Sequence, residues 1–295
     1  MTEFESAEAR AASLACWCGP VEPEPVAGGI TNTNFLVRDR GERFFVRIGE
    51  DIPVHGVLRF NEVSATRAAA TAGIAPALIH SEPGALVSRF IEGRTLSAED
   101  VRDAAMLERI VPLLGRCHRD IPRVLRGSVP MFWVFHVVRD YAATLREGGS
   151  RYEPQLGGLL ARADALEAAV GRIDVVFGHN DLLAANFIDD GERLWLIDWE
   201  YAGFNSPLFD LGGLASNSEL ASGQEDWLLE RYFERPVDAA GKRRYLAMKC
   251  ASLLRESMWS MVSEIHSGLD VDYVAYTREN LDRFERAYAD LPGES

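Results

Sequence analysis

Residues 179–186 read His-Asn-Asp-Leu-Leu-Ala-Ala-Asn, and residues 194–200 read Leu-Trp-Leu-Ile-Asp-Trp-Glu. Together they form the densest run of polar side chains in an apolar setting within this 295-residue chain. Residues 186–188 and 193–197 flank Asp189-Asp190-Gly191-Glu192, a turn signal, so the segment predicts a β-hairpin. Asp181 and Asn186 lie five apart on the loop entering that hairpin, and Asp198 ends the strand leaving it. This spacing allows Asp181, Asn186 and Asp198 to converge on one point. Phosphoryl transfer needs such a set: one carboxylate to orient the acceptor hydroxyl, and hard oxygens to hold Mg²⁺ on the phosphates. Singly, each is an ordinary turn or cap residue. The weight lies in the three spacings taken together.

Outward from this hairpin the chain has two grammars. From Val26 to about Ile91 the pattern is β-rich. Residues 34–38 and 43–48 flank a turn of about four residues at 39–42, a helix is predicted near 57–72, and strands near 77–80 and 85–90 flank Glu82-Pro83-Gly84. From Ser97 onward the pattern is helical, with Ser97 as N-cap and Leu107, Ile110, Val111 and Leu114 as an apolar stripe. Further helices are predicted near 132–147, 155–171, 225–234, 241–266 and 271–289.

His-x-Asp-x-x-x-x-Asn followed by Ile-Asp-Trp-Glu resembles the catalytic and metal-binding loops of the choline/ethanolamine kinase and aminoglycoside phosphotransferase superfamily. Residues 198–212, Asp-Trp-Glu-Tyr-Ala-Gly-Phe-Asn-Ser-Pro-Leu-Phe-Asp-Leu-Gly, are similar to bacterial choline kinases in particular. The close match spans about 178–220, with a looser one over 26–93. The resemblance implies an α+β, protein-kinase-like fold of two lobes: residues 1–93 as a small β-rich nucleotide-binding lobe, and 94–295 as a larger, mostly helical lobe for catalysis and acceptor binding. It implies Asp181 as catalytic base, Asn186 and Asp198 as Mg²⁺ ligands, and Glu200 as a contact for a second metal or its water. Asp210 resembles a family aspartate that supports the catalytic loop by hydrogen bonding, and His179 reads as a hydrogen-bonding residue behind the site.

The N-terminal half supplies nucleotide parts. Gly28, Gly29, Asn32, Thr33 and Asn34 belong to a Gly- and Asn-rich turn whose backbone N–H groups can cradle phosphates; such a turn also needs no ligand. Arg47 stands where most kinases place a lysine, as in the choline kinase branch, and a guanidinium binds phosphate bidentately. Glu62, in the following helix, is its natural ion-pair partner. Arg89, Phe90 and Ile91 fall at the hinge between lobes, which in kinase-like folds meets adenine. ATP is the default donor, and GTP is not excluded.

The acceptor site belongs to the helical half. Leu254, Met258, Met261 and Ile265 form a core stripe at helical spacing, and Trp259 sits about 100° away from it, positioned to face a cleft. Trp259 and Tyr276 align with residues lining the choline pocket of the family, with Glu219 as a nearby carboxylate; aromatic faces bind quaternary ammonium by cation–π attraction. Glu256 departs from the family, some members of which have a second tryptophan there, and suits a primary amine such as ethanolamine at least as well. The expected acceptor is a small cationic alcohol, choline or ethanolamine. The alternatives are a same-fold kinase for thiamine, a sugar or an aminoglycoside, and a non-catalytic nucleotide-binding module.

Composition narrows the rest. Lys and Arg total 31 against 45 Asp and Glu, a formal charge of −14, which argues against nucleic-acid or anionic-membrane partners. The acidic opening Met1-Thr2-Glu3-Phe4-Glu5 and the lack of a long apolar run predict neither secretion nor membrane insertion, hence a cytoplasmic protein. Cys16, Cys18, Cys117 and Cys250 lack metal-type spacing and read as free thiols.

Overall fold

The alternation in residues 34–48 becomes the centre of an antiparallel sheet in the computed structural model, which describes residues 3–26 and 32–291. Strands β1 (Glu24–Val26), β2 (Thr33–Asp39), β3 (Glu42–Ile48), β4 (Leu78–Glu82) and β5 (Ala85–Arg89) align in the order β1-β2-β3-β5-β4. The β2–β3 register runs from Thr33 opposite Ile48 to Asp39 opposite Glu42. Only Arg40 and Gly41 lie outside that ladder, with φ of 48° and 81°. The turn is therefore two residues rather than four, because two left-handed residues match the twist of the strands. Helix α1 (Glu3–Ala12), which the sequence pattern did not reveal, begins a segment that sets Ala7, Ala11 and Leu14 against Phe35, Val37 and Val46 of the sheet. Helix α2 (Arg59–Thr71) buries Ala65, Ala68 and Ala69 in the core of the helical half.

Strand β6 (Arg94–Thr95) opens the helical half, followed by α3 (Ala98–Arg102) and α4 (Ala104–Val124). Ser97 caps α3 reciprocally: the Asp100 amide donates to Ser97 Oγ at 3.2 Å, and the Ser97 amide donates to the Asp100 carboxylate at 2.7 Å. Asp103 then stops α3 and caps α4, so the predicted stripe of Leu107, Ile110, Val111 and Leu114 belongs to a second helix, where all four are buried. Helices α5 (Val134–Glu147), α6 (Glu153–Val170), α7 (Pro207–Asn217) and α10 (Tyr273–Ala289) surround the 28-residue α9 (Ala239–His266), while α8 (Ser222–Phe233) packs on α4 and α7. A Cβ on Gly212 of α7 would stand 2.9 Å from Lys249 Cα, so glycine permits the close crossing with α9. The α9 stripe is buried at Leu254, Met258 and Met261, but Ile265, at the helix end, is exposed.

Four short strands place the site. β7 (Val176–Gly178) pairs with β10 (Gly203–Asn205), and β8 (Phe187–Asp189) pairs with both β9 (Leu194–Leu196) and β6. The loop leaving β7 and the loop entering β10 therefore run side by side. These are residues 179–186 and 197–202.

Candidate active site

Asp210, in the first turn of α7, holds the first loop by its backbone. Its carboxylate accepts the His179 amide at 2.8 Å and the Asn180 amide at 2.7 Å, and lies 2.9 Å from His118 Nε2. His118 Nδ1 in turn meets the Tyr232 hydroxyl at 2.6 Å. Burial pushes the Asp210 carboxyl up, but the His118 hydrogen bond and charge outweigh it and leave it below the usual value. Asn180 is in the left-handed region (φ 66°), which Asn tolerates better than most residues. Its amide donates to the Tyr201 and Gly203 carbonyls at 3.0 and 3.2 Å, and its Oδ1 accepts from Asn205 at 3.0 Å. His179 Nε2 donates to the Ile197 carbonyl at 2.8 Å, tying the two loops together. Burial lowers the pKa of its ring, so it acts as a neutral strut.

This scaffold brings Asp181, Asn186 and Asp198 together. Asn186 Nδ2 donates to the Asp181 carbonyl at 2.8 Å, and the Ile197 amide donates to the Asn186 carbonyl at 2.9 Å. Asp198 is also left-handed (φ 67°), a strained position of the kind concentrated at functional sites.

A chain of buried charges crosses from the sheet to the helical half. Arg47 Nη1 donates to Asp198 Oδ1 at 2.7 Å and to Glu62 Oε1 at 2.5 Å. Arg59 Nη1 donates to Glu62 Oε2 at 2.7 Å and to Glu200 Oε2 at 3.2 Å. Asn32 Nδ2 also reaches Glu200, at 3.3 Å. Burial disfavours the Arg47 charge, yet the Asp198 and Glu62 carboxylates hold it firmly protonated. Burial likewise pushes Asp198 up and Arg47 outweighs it; Glu200 is raised by burial and by Asp198 beside it. Arg47 Nε and Arg59 Nη2 are buried without a hydrogen-bond partner among the described residues, leaving donors for an oxyanion.

Between sheet and catalytic loop lies a cleft of about 410 Å³ lined by Asn34, Phe45, Arg47, Glu62, Ser88, Phe90, Ile91, Asn186, Ile188 and Asp198, among others. Its apolar walls and polar floor suit a nucleoside with phosphates toward Arg47. Arg89 also lines it, but its guanidinium turns to Glu42 at 2.8 Å. Asn32 and Thr33 line a neighbouring cleft of about 850 Å³ that also reaches His55 and Trp259. Gly28 and Gly29 lie outside the described residues. Asn186, Asp198 and Glu200 supply hard oxygens of the type Mg²⁺ takes.

On the other side of Asp181 stand Arg255, Glu256, Tyr201 and Tyr276. Burial pushes the half-buried Asp181 carboxyl up to about 8 against the pull of Arg255, with Glu256, Asp198 and Glu200 pushing the same way as burial. Tyr276 donates to Glu256 Oε1 at 2.7 Å, and Trp259 Nε1 donates to the Tyr201 hydroxyl at 3.0 Å. Trp259 is 8% exposed and touches the larger cleft, while His55 covers it with ring centroids 5.2 Å apart. Glu219 is exposed at φ 54°, and no hydrogen bond or ion pair among the described residues joins its side chain to Glu256, Trp259 or Tyr276. Sequence reading had not singled out Arg59, His118, Asn180, Tyr201 or Arg255. An arginine on the apolar face of a helix, as at 255, was the one signal available for the last.

The family model described as choline/ethanolamine kinase matches residues 24–216. The chain belongs to the choline/ethanolamine kinase family. It is 28% identical over 284 residues to the protein LicA of Haemophilus influenzae, covering 90% of this chain and 79% of that one. It is also 28% identical over 291 residues to a probable ethanolamine kinase of Arabidopsis thaliana, covering 86% and 76%. The crystal structure of a choline/ethanolamine kinase family protein from Mesorhizobium loti superposes with a TM-score of 0.76 at 28% identity, covering 96% of this chain and 94% of that one. The α+β, kinase-like fold read from the loop motifs is thus the observed fold. No helix among the described residues is long and apolar enough to cross a membrane.

Proposed function

We propose that this chain transfers the γ-phosphoryl group of Mg-ATP to the hydroxyl of a small cationic amino alcohol, choline or ethanolamine. The observation that carries the reading is the convergence of Asp181, Asn186 and Asp198 on paired loops, with Arg47 bound to Asp198 from the opposite sheet. Lobes dividing at residues 93 and 94 would place the nucleotide in the seam. Asp181 in its ionised form, which a cationic acceptor and Mg²⁺ beside it would favour against burial, orients the acceptor hydroxyl and takes up its proton. Asn186 and Asp198, with Glu200 behind them, would hold Mg²⁺, which neutralises charge on the β- and γ-phosphates when bound. Arg47, held between Asp198 and Glu62, would offer its Nε to phosphate oxygens, fixed from behind by Glu62. Asp210 and Asn180 keep the loop in register, because a displacement of Asp181 of about 1 Å costs about 10²-fold in rate.

The test is Mg-ATP-dependent ADP release across choline, ethanolamine, thiamine and an aminoglycoside. Turnover with choline or ethanolamine, lost on omission of Mg²⁺, is the expected result. Turnover confined to thiamine or the aminoglycoside overturns the acceptor assignment, and ADP release with none of the four overturns the activity.

A further inference from the structure

The wall beside Asp181 already holds a cation. Tyr201, Trp259 and Tyr276 form this wall, joined by the Trp259–Tyr201 hydrogen bond and by Trp259 and Tyr276 ring centroids 6.3 Å apart. The Arg255 guanidinium lies over the face of Tyr201, 4.4 Å from its centroid, and 5.8 Å from that of Phe132. Arg255 is 4% exposed. Its Nη1 donates to Glu256 Oε2 at 3.0 Å, while Nε and Nη2 have no hydrogen bond of good geometry among the described residues. One face of Trp259 is occupied as well, by the His55 ring inclined at 31°.

A quaternary ammonium has no N–H to donate and is recognised through aromatic faces. Here one of those faces carries a like charge and another carries an imidazole. A primary ammonium has three N–H donors and is recognised by carboxylates. Glu256, held between Arg255 and Tyr276, presents such a carboxylate near Asp181. Arg255 repels either kind of cation, but only the N–H donors recover that cost through direct hydrogen bonds.

We propose that Arg255 is a specificity-determining residue: seated on Tyr201 as an internal cation, it bars quaternary ammonium acceptors and leaves Glu256 to receive a primary-amine alcohol. This rests on the amino-alcohol kinase reading above and deepens it. The seat is occupied by the protein's own charge, so emptying it changes which acceptor fits.

The test compares kcat/KM for ethanolamine and choline in wild type, Arg255→Met and Arg255→Lys, with calorimetric binding of methylammonium and tetramethylammonium in the presence of Mg-ADP. Wild type is expected to favour ethanolamine, and to bind methylammonium more tightly than tetramethylammonium, each by about tenfold or more. Arg255→Met moves both ratios toward the quaternary partner by about tenfold, whereas Arg255→Lys, which keeps a cation, leaves them within about threefold. Wild type favouring choline, or ratios unmoved in folded Arg255→Met, overturns the role of Arg255. If Arg255→Met does not fold, the wild-type binding order decides alone: tighter methylammonium supports the proposal, and equal or reversed affinity overturns it. An intact binding order without turnover of either alcohol overturns the kinase reading alone; turnover with unmoved ratios overturns only the Arg255 assignment.

Discussion

Replacing Glu62 by Gln keeps the shape of the side chain and removes the charge that two buried arginines share. Glu62 is 3% exposed and accepts from Arg47 at 2.5 Å and from Arg59 at 2.7 Å. Breaking a buried pair by removing one partner costs about 3–5 kcal/mol when the remaining charge is uncompensated. Here Arg47 keeps Asp198 and Arg59 keeps Glu200, so the loss falls at the low end, about 3 kcal/mol. At roughly 2 °C per kcal/mol for a chain of this length, Tm drops by about 6 °C. The control is Glu92→Gln: Glu92 pairs with Arg43 but its side chain is 75% exposed, so removing it costs under about 1 kcal/mol. Because Glu62 also fixes Arg47 from behind, KM for ATP rises about tenfold, the effect of about 1.4 kcal/mol of lost positioning. Thermal unfolding and ATP-dependent steady-state kinetics read both numbers. A Glu62→Gln protein with Tm within about 1 °C of wild type and an unchanged KM for ATP refutes the reasoning that this chain of charges ties the sheet to the helical half.

Asp181→Asn keeps the fold and lowers kcat at least about 10²-fold in the same assay; near-normal turnover removes Asp181 from the chemistry. Asp210→Asn weakens acceptance from His179, Asn180 and His118, costs about 2–3 kcal/mol in urea unfolding, and lowers kcat with little change in KM for ATP; an unaltered kcat contradicts its hold on the loop. His55 is buried between Tyr141 and Ser263, and burial, aided by Arg255, lowers its pKa from 6.5 to about 3. The unfolded chain therefore binds the extra proton in that window, and the stability His55 contributes is present above pH 6.5 and lost as pH falls toward 3. Between pH 6.5 and 4.5, His55→Gln should lose about 2 kcal/mol less stability than wild type, measured by urea unfolding at each pH; parallel losses contradict the buried neutral imidazole.

What the sequence made legible is what depends on local spacing. The hairpin at 186–197 could be read because apolar runs flank a turn signal, and its two loops carry three of the residues that meet in the site. Ser97 could be read as a cap because its partner lies three residues away. The two-residue turn at Arg40-Gly41 was harder, since strand ends depend on the register of the partner strand. Helix α7 was hard to read because its two glycines are unfavourable in isolation, and the need for Gly212 shows only against Lys249 of α9. Long-range pairings stayed hidden for the same reason. Arg59 meets Glu200 across 141 positions, and His118 meets Asp210 across 92, with no periodicity to announce either. Arg255 was masked by a neighbour, because Glu256 beside it reads as an acceptor ligand, and nothing in the local spacing announces the seat of Arg255 on Tyr201.

The most direct measurement is ³¹P NMR of the purified protein with Mg-ATP and ethanolamine or choline, followed by the same experiment with Asp181→Asn. A new phosphomonoester resonance should grow as ATP γ-phosphate disappears, in equal amount, for wild type and not for the variant on the same timescale. If the γ-phosphate is released only as inorganic phosphate, or if Asp181→Asn yields the phosphomonoester at the wild-type rate, phosphoryl transfer to an amino alcohol through Asp181 is contradicted.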